Sequence, residues 1–228
     1  MIKFPKLPLS QQDIEQLVEK YFNAEGYEFP TYFEHRYDPQ SSAISYSLIR
    51  HFRPKTILHI GTWEGGSVCV IMSALMMNKK PYVYVASELL QDKIKNTALH
   101  CIERNGTTPM MIEDITKNLD KIPKNIDFLF HDTDHDLTTT AWVFEHIIPR
   151  LKDGALVNFH DWAVKEIDGE WVGKEALGVG NIWPETKYML ELHKAGKLPF
   201  EKLYFNYEDG GSREAGFFIY RKPKKGKK

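Results

Sequence analysis

The sequence predicts an α/β fold: a doubly wound, mostly parallel sheet with an antiparallel edge hairpin, plus an N-terminal helical extension. Three observations carry this. After Pro54, short apolar runs alternate with stretches long enough for helices, the pattern of βαβ units with helices on both sheet faces. The first of these runs ends in a glycine-rich turn, GTWEGGS. The last two strand-like segments, KLYFNY (202–207) and AGFFIYRK (215–222), are separated by EDGGSRE, a turn that suggests an antiparallel pair at the sheet edge.

The elements follow in chain order. Ile14, Leu17, Val18 and Phe22 recur at helical spacing and predict an amphipathic helix over 11–22. An aromatic-rich connector, GYEFPTYFEHRYDP, is broken by Pro30 and Pro39. Ser41 or Ser42 is placed to cap a second helix carrying Ile44, Leu48, Ile49 and Phe52. TILHI (56–60) is a short buried strand, followed by a helix from about Ser67 to Met77. YVYVA (82–86), a helix over 90–104, MMI (110–112) and IDFLF (126–130) come next. TTTAWVFEHIIPRL (138–151) reads as helical, and ALVNF (155–159) as a fifth strand after the turn KDG. Beyond residue 162 a glycine-rich stretch contains VGKEALGVGN (172–181), which reads as a mobile lid. PETKYMLELHKAG then forms a helix that tolerates Pro184 in its first turn.

Composition narrows the function. The chain has 228 residues, 42% hydrophobic, enough for one substantial core. No apolar run approaches the roughly 20 residues of a membrane-spanning helix, and the start MIKFPKLPLSQQDIEQ lacks the features of a signal peptide. Cys69 and Cys101 stand in no metal-binding or disulfide spacing, so a reducing cytoplasm is expected. The last eight residues, RKPKKGKK, carry six positive charges and leave −7 on residues 1–220. A mildly acidic body argues against a nucleic-acid partner, and the tail reads as a solvated, disordered end.

Ligands of a parallel sheet bind beyond the carboxyl ends of its strands, near helix N-termini. GTWEGGS sits there: Gly61 allows a sharp turn, and Gly65 and Gly66 let a ligand approach the backbone. The spacing differs from G-x-G-x-x-G, and tight βα turns also use glycine with no ligand. Glu88 ends the second strand, where a carboxylate accepts hydrogen bonds from ribose hydroxyls or simply favours a helix N-terminus. Turn and acid together point to a nucleoside-type cofactor. FLFHDTDHD (128–136) ends the fourth strand in five ionisable groups within six positions. Asp134 and Asp136 can cap the next helix, and His131 can be a packed strand-end histidine.

ILHIGTWEGGS, VYVASE, EDITKNLDKIPKNIDFLFHD and HIIPRLKDGALVNFHDW together resemble the motifs of class I S-adenosylmethionine-dependent methyltransferases, a Rossmann-like family. D-x-D-H at 132–135 and H-D at 160–161 are most similar to the methyltransferase domain 24 group, which includes macrocin-type O-methyltransferases and cephalosporin-hydroxylase-like proteins. The resemblance implies an N-terminal helical cap (1–53), a methyltransferase domain (54–222) and the basic tail (223–228). It implies S-adenosyl-L-methionine held by Gly61, Trp63, Gly65, Ser67, Glu88, Glu113, Asp114 and Asp132. It also implies a divalent metal on Asp132 and Asp161. Oxygen ligation suits Mg²⁺; adding His160 as a ligand admits Mn²⁺, although His160 can also serve only to orient Asp161. His135 falls where catechol-type relatives place a catalytic base, so His135 and Asp132 are the candidate catalytic residues. Two positions depart from the pattern: His59 replaces an acid in the first motif, and His160 and Trp162 flank Asp161.

The expected activity is O-methyl transfer to a small molecule such as a sugar or natural-product intermediate. A metal-independent N-methyltransferase and a cofactor-binding protein without transferase activity are the alternatives. Tyr32, Phe33 and Tyr37, with Trp162, Trp171 and Trp183, are candidates for lining the acceptor pocket. The N-terminal three are equally candidates for a homo-oligomer contact. His51, His100, His146 and His193 read as structural or surface residues.

Overall fold

A computed structural model describes residues 7–28, 39–178, 182–206 and 215–223. The connector aromatics Tyr32, Phe33 and Tyr37, the whole EDGGSRE turn (208–214), and residues 224–228 of the tail lie outside the described residues. Helix α1 (Gln11–Leu17) starts at a capping box in which Ser10 and Asp13 satisfy each other's backbone N–H, and continues as a wider π-turn over Val18–Asn23. Helix α2 (Pro39–Phe52) begins two residues before the serines proposed as its caps. Ser41 and Ser42 are buried inside it, and Pro39, which needs no N–H there, takes the first position.

From there β1 (Thr56–Ile60), α3 (Gly66–Met77), β2 (Val83–Ser87), α4 (Gln91–Asn105), β3 (Met110–Ile112) and β4 (Ile126–His131) match the expected alternation. Helix α5 (Leu137–His146) is capped by Asp136, whose side chain accepts from the Thr139 N–H. It stops before Ile148, because Pro149 tightens the chain into a short 3₁₀ turn and the next strand, β5 (Leu151–His160), already begins at Leu151. The KDG segment is therefore part of a long strand with a register shift against β4, not a turn before a short one. Two small strands, β6 (Val164–Ile167) and β7 (Glu170–Gly173), pair where the sequence reading saw only a loosened stretch. Asp168 and Gly169 join them, both at positive φ, the Asp-Gly dipeptide that a tight hairpin favours. Helix α6 (Pro184–Lys194) and the strands β8 (Phe200–Asn206) and β9 (Ala215–Tyr220) complete the chain.

The main sheet runs β3-β2-β1-β4-β5-β9-β8, with β1 to β5 parallel and β9 antiparallel to both neighbours. Alternate residues supply two cores. Ile57, Phe128 and Phe217 face α1, α2 and α3, while Leu58, Leu129, Val157 and Phe218 face the α5 and α6 side. The N-terminal helices share that first core: Leu17, Leu48 and Ile49 are fully buried in it. Truncating one of them to alanine costs about 2–5 kcal/mol. No helix among the described residues is long and apolar enough to cross a membrane.

Register fixes where function is placed. Ile60 pairs with Ser87 on one side and His131 on the other, and His131 pairs with Phe159. The next residues of each strand, Gly61, Glu88, Asp132 and His160, therefore emerge at one level. The chain order reverses between β1 and β4, and such a switch point opens a crevice.

Candidate active site

A cavity of about 740 Å³ occupies that crevice, within the about 300–1,000 Å³ of ordinary small-ligand sites. Its wall over β1, β2 and β3 is shaped by loop backbone. Gly61 has φ +82°, and a Cβ there would lie 1.6 Å from the Asp132 carbonyl oxygen, so the β1 loop crosses the β4 end at a distance only glycine permits. Glu88 then ties the loops together. Its Oε2 accepts the N–H groups of Thr62 (3.0 Å) and Trp63 (2.7 Å), and its Oε1 accepts those of Leu89 (2.9 Å) and Leu90 (3.2 Å). Both oxygens expected to take ribose hydroxyls thus already hold backbone donors, while the carboxylate still lines the cavity.

Trp63 lines the cavity, 45% exposed and in the left-handed region, with the Lys93 ammonium 4.2 Å from its ring centroid. Asp114 also lines it and caps a short 3₁₀ turn: Oδ1 accepts from the Thr116 N–H (2.9 Å) and hydroxyl (2.6 Å). Those bonds and the Lys117 ammonium hold its carboxyl below the usual range.

Three expected cofactor residues are placed otherwise. Gly65 has φ +89°, and a Cβ there would meet the Thr97 backbone at 3.0 Å, so it serves close packing of α3 on α4 and does not line the cavity. Ser67 is buried, with Oγ 3.3 Å from His59 Nε2. Glu113 is exposed and lends only its carbonyl, to the Ser87 hydroxyl. His59, which replaces the first-motif acid, is fully buried; burial pushes its pKa down to about 3, so the ring is neutral. Nε2–H then donates to the Gly61 carbonyl (3.0 Å) and Nδ1 accepts from the Tyr84 hydroxyl (2.8 Å). It holds the glycine turn from beneath.

The opposite wall is ionic. Asp132 and Asp161 line the cavity with His160 between them, its Nδ1 3.4 Å from both Asp132 Oδ2 and Asp161 Oδ1. His135 approaches from the other side: Nε2 lies 3.3 Å from Asp161 Oδ2 and 3.8 Å from Asp132 Oδ1. One donor atom each from Asp132, His135 and Asp161 falls within a 4.8 Å cluster. Burial opposes charge on His135, but Asp161 and Glu185 outweigh it and push its pKa up to about 10. His160 is likewise raised, against burial, by Asp132 and Asp161. Burial pushes Asp161 up, yet hydrogen bonds from the two histidines hold it well below the usual carboxylate range.

His135, the expected general base, does not line the cavity. Both its ring nitrogens face carboxylates, and Trp183 stacks on its face at 4.8 Å. Its backbone and that of Asp161 take the left-handed region, at φ +58° and +53°. Glu185 was not foreseen: it is 1% exposed, and its Oε1 is 2.6 Å from His135 Nδ1. A glutamate in the first turn of a helix is too ordinary to signal this. Leu89, Leu90, Ile115 and Thr116 were also missed as cavity residues, although each lies within two positions of a predicted one.

Of the expected entrance aromatics among the described residues, Trp162 and Trp171 are instead buried among Phe205 and Phe218, and Trp183 stands at the site. The first part of the expected lid is pinned: Val172 pairs in β7, the Lys174 N–H donates to Ala163, and Lys174 is buried. Residues 179–181 lie outside the described residues.

Residues 58–162 match the family described as "Methyltransferase domain". No curated protein matches the chain in sequence. Among solved structures, an O-methyltransferase from Bacillus cereus in complex with S-adenosylhomocysteine is 16% identical with a TM-score of 0.60, covering 93% of both chains. The Streptomyces achromogenes O-methyltransferase TomG, involved in tomaymycin synthesis and bound to S-adenosylmethionine, is 14% identical with a TM-score of 0.60 over 95% of this chain and 92% of its own. A Podospora anserina methyltransferase bound to S-adenosylhomocysteine is 15% identical with a TM-score of 0.58, over 96% of this chain and all of its own. At such identities the likeness to these structures is one of fold.

Proposed function

We propose that this chain, whose residues 58–162 match a methyltransferase domain, is an S-adenosylmethionine-dependent methyltransferase, and that it methylates a hydroxyl of a small molecule with help from a divalent cation. The observation that carries the second half is the cluster of Asp132, His135 and Asp161 donor atoms within 4.8 Å, whose two aspartates line the cavity that Gly61 and Glu88 also line.

Each group has residues that fit it. Gly61, Trp63, Glu88 and Asp114 line a cavity large enough for a nucleoside, with loop backbone held open by Glu88. S-adenosylmethionine supplies a methyl group on a sulfonium. Two aspartates with imidazole nitrogens beside them are a mixed donor set that suits Mg²⁺ or Mn²⁺. Such a cation supplies positive charge that lowers the pKa of an acceptor hydroxyl.

The remaining work is positioning and one proton. The Gly61 turn fixes the distance between the two walls, because the β1 loop touches the Asp132 backbone. Asp132 has the most exposed side chain of the ionic wall, 28%, and we assign it the acceptor's proton. His160 steadies both aspartates. Leu89, Leu90 and Trp63 give one side of the cavity an apolar lining. The acceptor is taken to be a small molecule because the body of the chain is acidic, and the site is taken to work in the cytoplasm because Cys69 and Cys101, with Sγ atoms 3.6 Å apart, are free thiols.

The test is methyl transfer from labelled S-adenosylmethionine to a panel of phenolic, sugar and amine acceptors, before and after EDTA. Hydroxyl methylation that is lost on chelation and restored by Mg²⁺ or Mn²⁺ is expected. Undiminished turnover in EDTA would overturn the cation, and amine methylation alone would overturn the acceptor class.

A further inference from the structure

Glu185 lies outside the matched residues 58–162, yet it is the most deeply buried carboxylate beside the ionic wall, 1% exposed. Burying a carboxylate is costly unless its oxygens are matched, and an apolar residue in its place would usually serve packing better. Its matches are specific. Oε1 accepts from His135 Nδ1 at 2.6 Å, and Oε2 lies 3.5 Å from both the Thr140 hydroxyl and His131 Nδ1. Trp183, two residues earlier, lies flat on the His135 ring, at 20°. The imidazole is thus held at its edge and its face by the start of α6. Its remaining nitrogen, Nε2, is directed at Asp161 (3.3 Å) and Asp132 (3.8 Å). A histidine that ligates a metal characteristically gives its other N–H to a carboxylate, which fixes the tautomer and makes the ligating nitrogen more basic.

We propose that Glu185 is the positioning residue of the cation site: it holds His135 so that Nε2 is a nitrogen ligand beside Asp132 and Asp161. The inference rests on the cation of the proposed function and deepens it. His135 becomes a ligand where its sequence position suggested a base. A nitrogen ligand on two carboxylates favours a transition ion over Mg²⁺, so Mn²⁺ binds more tightly than Mg²⁺. His160, also near both aspartates, keeps the role of steadying them.

The experiment uses the full chain loaded with Mn²⁺ alone. Pulsed EPR of the wild type, with ¹⁵N-histidine for comparison, reads nitrogen bound to the ion. The coupling is expected in the wild type and in His160→Ala, and is expected to vanish in His135→Ala. Calorimetry of Mn²⁺ binding reads Glu185, with Glu185→Gln expected to bind about 10–100-fold more weakly. Binding of S-adenosylhomocysteine serves as the fold control for every variant. Absence of nitrogen coupling in the wild type overturns the proposal without recourse to any variant. So does coupling that survives His135→Ala and vanishes in His160→Ala, or wild-type Mn²⁺ affinity in a Glu185→Gln that still binds S-adenosylhomocysteine. The last two outcomes leave the cation itself standing, whereas a wild type that binds no Mn²⁺ at all overturns both.

Discussion

The two walls of the cavity are made of different things. Over β1, β2 and β3 the wall is shaped by loop backbone, a glycine at positive φ and N–H groups gathered on the single carboxylate of Glu88, with Trp63, Leu89, Leu90 and Asp114 along it. Over β4 and β5 it is side-chain charge, with Asp132, Asp161, His135 and His160 matched against one another and backed by Glu185. The first kind of wall is specified by local sequence, since a turn and a strand end suffice. The second needs partners that only the tertiary fold brings together, because a buried charge is tolerable only when it is paired. The difference teaches that substituting one wall should disturb one ligand.

The largest effect should come from the one residue that joins the walls. In Gly61→Ala the new Cβ would overlap the Asp132 carbonyl oxygen at 1.6 Å, in a φ region that alanine avoids. Backbone clash and strain together should cost about 4 kcal/mol or more. Denaturant unfolding of Gly61→Ala should show a collapse in stability; a variant within about 1 kcal/mol of wild type would mean that the loop and the β4 end do not touch.

Single-wall variants come next and should separate. Asp161→Ala should lower the rate of methyl transfer roughly a hundredfold or more, because several kcal/mol of charge stabilisation is lost, while S-adenosylhomocysteine still binds. Glu88→Gln should do the reverse. Hydrogen bonds to a charged acceptor contribute about 1.5–3 kcal/mol, so affinity for S-adenosylhomocysteine should fall roughly tenfold to a hundredfold with Mn²⁺ binding intact. If Glu88→Gln also releases Mn²⁺, the walls are one unit and the comparison fails.

The same division explains what the sequence could say. The parallel strands, α3, α4, the edge pair and the place of Gly61, Glu88, Asp132 and Asp161 at the cavity were legible, because periodicity and strand ends are local signals. The β6–β7 hairpin was legible in principle from Asp168-Gly169 but was masked by the surrounding glycines. Gly65 ends the right loop and Ser67 lies in the first turn of α3, yet they meet Thr97 and His59, a choice made by helix packing. Glu185 lies fifty residues from His135, and no pattern of residue types joins them.

The smallest expected effect tests where the ionic wall ends. Asp136 belongs to the same acidic run as Asp132, and by composition alone the two are indistinguishable. Their partners differ. Asp136 accepts from the Thr139 N–H at 2.7 Å and the Thr139 hydroxyl at 3.1 Å, which is the work of a helix cap, and it does not line the cavity. Loss of a cap costs about 1 kcal/mol, or about 2–4 °C in a chain of this size. Asp136→Ala should therefore melt slightly earlier, Asp136→Asn should recover most of the loss, and Mn²⁺ affinity should be that of wild type. A large drop in Mn²⁺ affinity in both variants would extend the ionic wall past His135 and make charge, rather than the geometry of α5, the reason an aspartate stands there.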